Sequence, residues 1–213
     1  MIHCIGDSHS AFFSGVEDMQ PQWPSIASNA LPWFKSYRIG PATAYNLDSK
    51  RDLIESIYFS GLVAENDSVM FCFGEVDCRA HIIKQAALQG RGFHSVVEEC
   101  VNRYIRSIEY YENYGRKILV WGPIASWNDS KPYTGPSYGT NLERNQVSKM
   151  FNEILSKECE QRGYTFVSIF EKMLNEDSTT NTLYLDNWEG SHMHLSQTAM
   201  PMTLEVFTEK GII

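Results

Sequence analysis

Apolar residues gather in five short runs along the chain: Met1 to Ile5, Ser36 to Ile39, Val69 to Phe73, Ile118 to Trp121 and Tyr164 to Ile169. The first four stop at glycine, as Gly6-Asp7-Ser8, Gly40-Pro41, Gly74-Glu75-Val76-Asp77 and Gly122-Pro123. Runs of this length without polar alternation predict strands buried on both faces of a parallel sheet. Between them the apolar spacing turns helical. Leu53, Ile54, Ile57, Tyr58, Leu62 and Val63 form one stripe. Val96, Val97, Cys100, Val101, Tyr104, Ile105 and Ile108 form another, within Ser95 to Tyr114, with Gly115 at the position of a helix C-cap. Val147, Met150, Phe151, Ile154 and Leu155 mark a third helix over Asn141 to Arg162, and Ser196 to Lys210 predicts a closing helix. Ser14 to Trp33 and Trp127 to Thr140 read as loops, the second with the densest turn chemistry and expected to be mobile.

Strand and helix thus alternate about five times, which predicts a three-layer α/β/α sandwich with a flavodoxin-like, five-stranded parallel sheet. A length of 213 residues and the lack of a linker or repeat fit one domain over residues 1–213. Ligands of such sheets bind beyond the carboxyl ends of the strands. The four glycine-bearing strand ends are therefore expected at one rim, and residues there are the first candidates for chemistry.

The composition narrows the partners. Lys and Arg number 18 against 26 Asp and Glu, a net charge of −8, which argues against nucleic acid and leaves a small neutral or cationic substrate open. No apolar run is long enough to span a membrane. The N-terminus lacks a basic stretch and a long apolar one, so no signal peptide is expected and the cytoplasm is the expected compartment. Cys4, Cys72, Cys78, Cys100 and Cys159 are widely spaced among apolar neighbours, as buried thiols would be. No residue set has metal-ligand spacing, and no cofactor motif follows the first strand. Oligomeric state is not encoded in any of these features.

Ser8 follows a strand and a glycine, which places its hydroxyl at the rim with backbone N–H groups nearby. The same position suits a capping residue of a strand-to-helix turn. A serine nucleophile needs a base. His3 lies inside the first strand, and His9 is too close in sequence for a secure geometry. His192 and His194 lie in Gly190-Ser191-His192-Met193-His194-Leu195-Ser196, just before the closing helix, and are well placed to reach the rim.

Taken together these segments resemble the SGNH/GDSL hydrolases. Gly6-Asp7-Ser8-His9-Ser10 looks like the first block of that superfamily, Gly40 like the glycine of the second, Gly74-Glu75-Val76-Asp77 like the third, and His194-Leu195-Ser196 like the end of the last. Glu143-Arg144-Asn145 with Phe151-Asn152 is similar to the helix before the last strand in many members. The order and spacing agree over essentially the whole chain. The resemblance implies a serine esterase or acyl-transfer enzyme with Ser8 as nucleophile and His194 as general base. The Ser8 and Gly40 N–H groups, with Gly74 beside them, would form the oxyanion hole. It implies esters as substrates, often O-acetylated carbohydrates or lipids. Asp7, Arg79, Trp127 and Trp188 are the candidate substrate-binding residues, the tryptophans as sugar-stacking faces.

The chain departs from the pattern at two places. Val76 stands where the third block has an asparagine that donates to the oxyanion, and losing one such donor costs about 10²–10³ in rate. Arg79 is either a replacement charge or the ion-pair partner of Glu75 or Asp77. In the last block the expected aspartate three residues before the histidine is Ser191. The orienting acid is then Asp186, the first choice, or Glu189, or a backbone carbonyl in a Ser–His dyad. These losses leave open a degenerate member that binds a glycan or a partner without turnover.

Overall fold

The computed structural model describes residues 1–131, 135–186 and 192–213. Strands β1 (Ile2–Gly6), β2 (Phe34–Arg38), β3 (Ser68–Cys72), β4 (Lys117–Trp121) and β5 (Thr165–Val167) form one sheet in the order β2-β1-β3-β4-β5. All neighbours are parallel. Helices α1 (Arg51–Tyr58), α2 (Ile83–Gln89), α3 (Phe93–Glu109), α4 (Asn141–Arg162) and α5 (Met200–Glu209) connect and cover it.

The strand alternation sorts the core into two halves. Ile5, Tyr37, Val69, Phe71, Ile118 and Val120 face α1, α3 and α4 and pack with Ile54, Ile57, Val97, Ile108, Val147 and Phe151. Ile2, Cys4, Phe34, Met70, Cys72, Leu119 and Trp121 point the other way and pack with Phe12, Phe13, Met200 and Phe207. The buried-strand pattern arises because both faces of the sheet are covered. All five cysteines are buried free thiols. Among the described residues no helix is long and apolar enough to cross a membrane.

Several elements differ from the sequence reading in extent. β2 begins at Phe34, two residues earlier than expected, and β5 is only Thr165–Val167. The segment after Ser8 is a tight 3₁₀ helix, Ser8–Ser14, ended by Gly15. The periodicity did not reveal a wider π-type turn over Asp77–Ile82 that leads into α2.

The segment from Trp127 to Thr140, expected to be mobile, is tied to α4 through its described residues. The buried Arg144 donates from Nε to Ser126 Oγ at 3.0 Å and from Nη2 to Trp127 O at 2.8 Å and Asp129 Oδ1 at 2.6 Å. Asn141 Nδ2 donates to Trp127 O at 2.8 Å, and Asn145 Oδ1 accepts from the Ser126 N–H at 2.9 Å. The polar residues of the first turns of α4 thus satisfy loop carbonyls that would otherwise be buried unpaired.

At the end of β4, Gly122 donates to Val167 O at 2.8 Å, and a Cβ on it would lie 2.0 Å from Asn152 Oδ1 and 2.8 Å from the Phe166 ring. Asn152 is itself fixed by donation to Pro123 O at 2.8 Å. Gly122→Ala is therefore expected to lower unfolding free energy by about 1–3 kcal/mol, the usual cost of overpacking, measured by denaturant titration.

Candidate active site

The register of the sheet sets the level of the rim. Gly6 pairs with Arg38 on one side and Cys72 on the other, and Cys72 pairs with Trp121. Ser8, Gly40, Gly74 and Pro123 each lie two residues beyond this row. The rim thus carries all four strand ends that the sequence singled out. Gly74 has φ of +114°, and a Cβ there would meet Pro123 at 2.9 Å and Phe151 at 3.1 Å, so this turn admits no side chain without displacement.

Ser8 opens the 3₁₀ helix. Asp7 caps it, its Oδ1 accepting the His9 N–H at 2.9 Å. The capping reading thus belongs to Asp7, which is buried and turned toward its own backbone, and the Ser8 hydroxyl is left for another partner. That partner is His194, whose Nε2 lies 2.9 Å from Ser8 Oγ.

His194 is held by an antiparallel pairing that the sequence did not disclose. Leu185 and Leu195 form a bridge, and the Asp186 N–H donates to His194 O at 2.8 Å. In return the His194 N–H donates to Asp186 Oδ1 at 3.2 Å, and His194 Nδ1 faces Asp186 Oδ2 at 3.4 Å. One carboxylate therefore fixes both the backbone and the ring of the histidine. Both side chains are buried. Burial pulls the His194 imidazole below the usual histidine range, against the hydrogen bond to Asp186, and a charge on His9 pulls in the same direction as burial. Glu189 and Ser191, the other residues weighed for the acid position, and Trp188 lie outside the described residues.

Arg79 takes the ion-pair reading. Its Nε donates to Glu75 Oε1 at 2.7 Å, it also donates to Pro136 O, and its own carbonyl accepts the Tyr138 N–H at 3.0 Å. Glu75 has His9 on its other side, with His9 Nε2 2.9 Å from Glu75 Oε2. Burial alone would raise the Glu75 carboxyl, but Arg79 and then His9 hold it well below the usual carboxylate range. Asp7, with less compensation, is raised by burial to about 6. Asp77 is raised by burial to about 7, although it accepts the Ala44 N–H at 2.7 Å and the Tyr45 N–H at 3.2 Å. These two bonds brace the loop that follows Gly40. Val76 begins the turn into the π-type segment and brings no polar group.

Trp127 has its ring 4.7 Å from the Arg144 guanidinium, and its N–H donates to Lys131 O at 2.9 Å. The structure thus ties Trp127 to Arg144 and the Lys131 turn. The contact between His9 and Glu75 is what the sequence reading missed. The observed register, which sets Gly6 beside Cys72, brings position 9 beside position 75, and the one signal present in the sequence was the i,i+4 spacing of Glu75 and Arg79, that of a helical ion pair. A cavity of about 290 Å³ opens between the loop after Gly40 and the helices after Gly74, lined by Thr43, Tyr45, Asp77, His81, Gln85 and Arg91 among others. Among the described residues no group of three His, Cys, Asp or Glu side chains is arranged to hold a metal ion.

A search against solved structures finds phospholipase A1 from Streptomyces albidoflavus with a TM-score of 0.58 and 15% identity, covering 98% of each chain. An acetyl xylan esterase aligns over 100% of both chains with a TM-score of 0.56 and 13% identity. A GDSL-like lipase from Bacteroides thetaiotaomicron matches with a TM-score of 0.57 and 11% identity over 99% of this chain and 88% of that one. The chain has the SGNH/GDSL hydrolase fold. At the level of sequence, no family model and no curated protein matches. The likeness to these structures is therefore one of fold, extending over nearly the whole chain.

The buried charges yield a stability prediction. Arg79→Met leaves Glu75 buried without its guanidinium, which is expected to cost about 3–5 kcal/mol near neutral pH. Glu75 is then easier to protonate, so the loss relative to the parent should shrink as pH falls toward ~4.5. Urea unfolding of both proteins at the two pH values checks the size and the direction.

Proposed function

We propose that this chain is a serine esterase or acyl-transfer enzyme that acts on an O-acylated carbohydrate or small molecule. The observation that carries the reading is the line from Ser8 Oγ through His194, 2.9 Å to Nε2, to Asp186 Oδ2, 3.4 Å from Nδ1. A serine hydroxyl is a weak nucleophile until a base takes its proton, and an imidazole serves as that base when a carboxylate fixes its tautomer. Ser8 Oγ attacks the ester carbonyl carbon as His194 Nε2 accepts the hydroxyl proton. The tetrahedral oxyanion faces the N–H groups of Ser8 and Gly40. As the bond to the acceptor oxygen breaks, His194 returns the proton to that oxygen. Water, or a second hydroxyl, then releases the acyl group by the reverse path. No step calls for a metal or cofactor.

One structural neighbour described as an acetyl xylan esterase fits the same substrate class. Five buried free thiols fit a reducing compartment such as the cytoplasm. Val76 favours a second reading, in which the fold binds an acylated glycan without turnover.

A fluorophosphonate probe and a panel of short p-nitrophenyl and sugar acetates separate the two readings. The parent is expected to label at Ser8 and to turn over at least one acetate, and Ser8→Ala to do neither. Absence of labelling and turnover in the parent moves the assignment to the binding reading. Asp186→Asn is expected to lower kcat by about 10³–10⁴-fold with KM little changed, because the carboxylate orients the base and does not touch substrate. Full activity in that variant, with none in His194→Ala, would replace the triad with a Ser–His dyad.

A further inference from the structure

The proposed mechanism leaves a buried histidine at the rim unused. His9 follows the nucleophile, is nearly inaccessible to solvent, and packs its ring against His194 with 4.7 Å between centroids and 47° between planes. We propose that His9, clamped as an imidazolium by Glu75, is a positioning residue that keeps His194 in its neutral, proton-accepting state. This proposal rests on the acyl-transfer reading for its catalytic meaning.

Two imidazoles this close in a buried site compete for one proton, because both cannot be charged without strong repulsion. The surrounding charges decide which one holds it. Among the described residues, His9 has Asp7 on its own segment and Glu75 from the turn after β3, and Arg79 lies on the far side of Glu75. His194 has Asp186 behind it and His9 in front. Glu75 stands closer to His9, at 2.9 Å, than Asp186 stands to His194 Nδ1, at 3.4 Å. Glu75 is also kept ionised by Arg79, so it stays an anion at any pH where the competition matters. The His9–Glu75 contact is close but poorly aligned as a hydrogen bond, so charge attraction is its main component. Burial alone would lower His9, yet the Glu75 carboxylate, with Asp7 behind it, lifts it above the ordinary histidine value.

The first proton therefore goes to His9, and His194 takes one only at lower pH. Two effects on acyl transfer follow. The base stays neutral, and the enzyme active, further into the acid range. The His194 imidazolium formed during the reaction is a stronger acid, so it protonates the departing alkoxide more readily. The Arg79–Glu75 pair is the support that makes this arrangement hold, which gives the Gly-Glu-Val-Asp-Cys-Arg segment a role the resemblance left open.

The test begins on the unaltered protein. Ring-nitrogen NMR of histidine-labelled protein, titrated over about pH 4.5–9, reads the charge of each imidazole against the ordinary histidine value near ~6.5. His9→Gln and His194→Gln assign the signals. His9 is expected to remain doubly protonated above that value and His194 to titrate below it. In His9→Gln the His194 midpoint should rise by roughly one pH unit, and the acid limb of kcat/KM should move up with it. A neutral His9 at pH 7 in the unaltered protein overturns the proposal, and so does an unmoved His194 midpoint in His9→Gln. If His9→Gln fails to fold, the spectrum of the unaltered protein decides alone. If both imidazoles titrate as expected but no ester is turned over, the acyl-transfer reading fails while the coupling of the two histidines stands.

Discussion

The in-register parallel pairing of β1 with β2 and β3 is the constraint on which the rest of the site depends. Parallel strands leave a sheet in the same direction, so residues equally far beyond a shared row arrive at the same height. Here the row is Gly6, Arg38 and Cys72, and the positions two residues on are Ser8, Gly40 and Gly74. A one-residue slip of β3 would turn Met70 and Cys72 toward the wrong core and move Glu75 away from His9 in the same step. The two apolar clusters that lock the register thus also lock the electrostatics of the rim, since Phe71 and Met70 face opposite cores and cannot exchange.

The strand ends were legible because a buried parallel strand shows its length and its stop in the residues themselves: continuous apolar character, then glycine. Four strand ends could be brought to one rim on that basis. The Ser8–His194 approach follows from topology, since a segment before the closing helix must return across the rim. The position of Asp186 beside His194 had a more local cue. Asp186 follows Leu183-Tyr184-Leu185, and the structure shows Leu185 buried and paired with Leu195.

What stayed illegible depends on contacts between segments far apart in sequence. Nothing in the neighbourhood of His9 announces a carboxylate 66 positions later, and only the register makes them neighbours. The sequence presents Arg79 with two carboxylates within reach, and packing alone selects Glu75 while Asp77 turns to the backbone of Ala44 and Tyr45. The anchoring of the loop from Trp127 was not legible because turn-forming residues signal the absence of a ladder, not the absence of restraint. Its restraint comes from Arg144, Asn141 and Asn145, whose polar character on a helix reads as an exposed face when it is an anchoring one.

The pairing of Asp186 with His194 has a consequence for how such a site can vary. When acid and base sit three residues apart, one turn must fix both, and any change in its length disturbs the chemistry. Here the two residues face each other from opposite arms of a ribbon, each arm held by a buried leucine and a main-chain bond. If the proposed relay operates, its alignment rests on these two arms and on the carboxylate that meets both the backbone and the ring of His194.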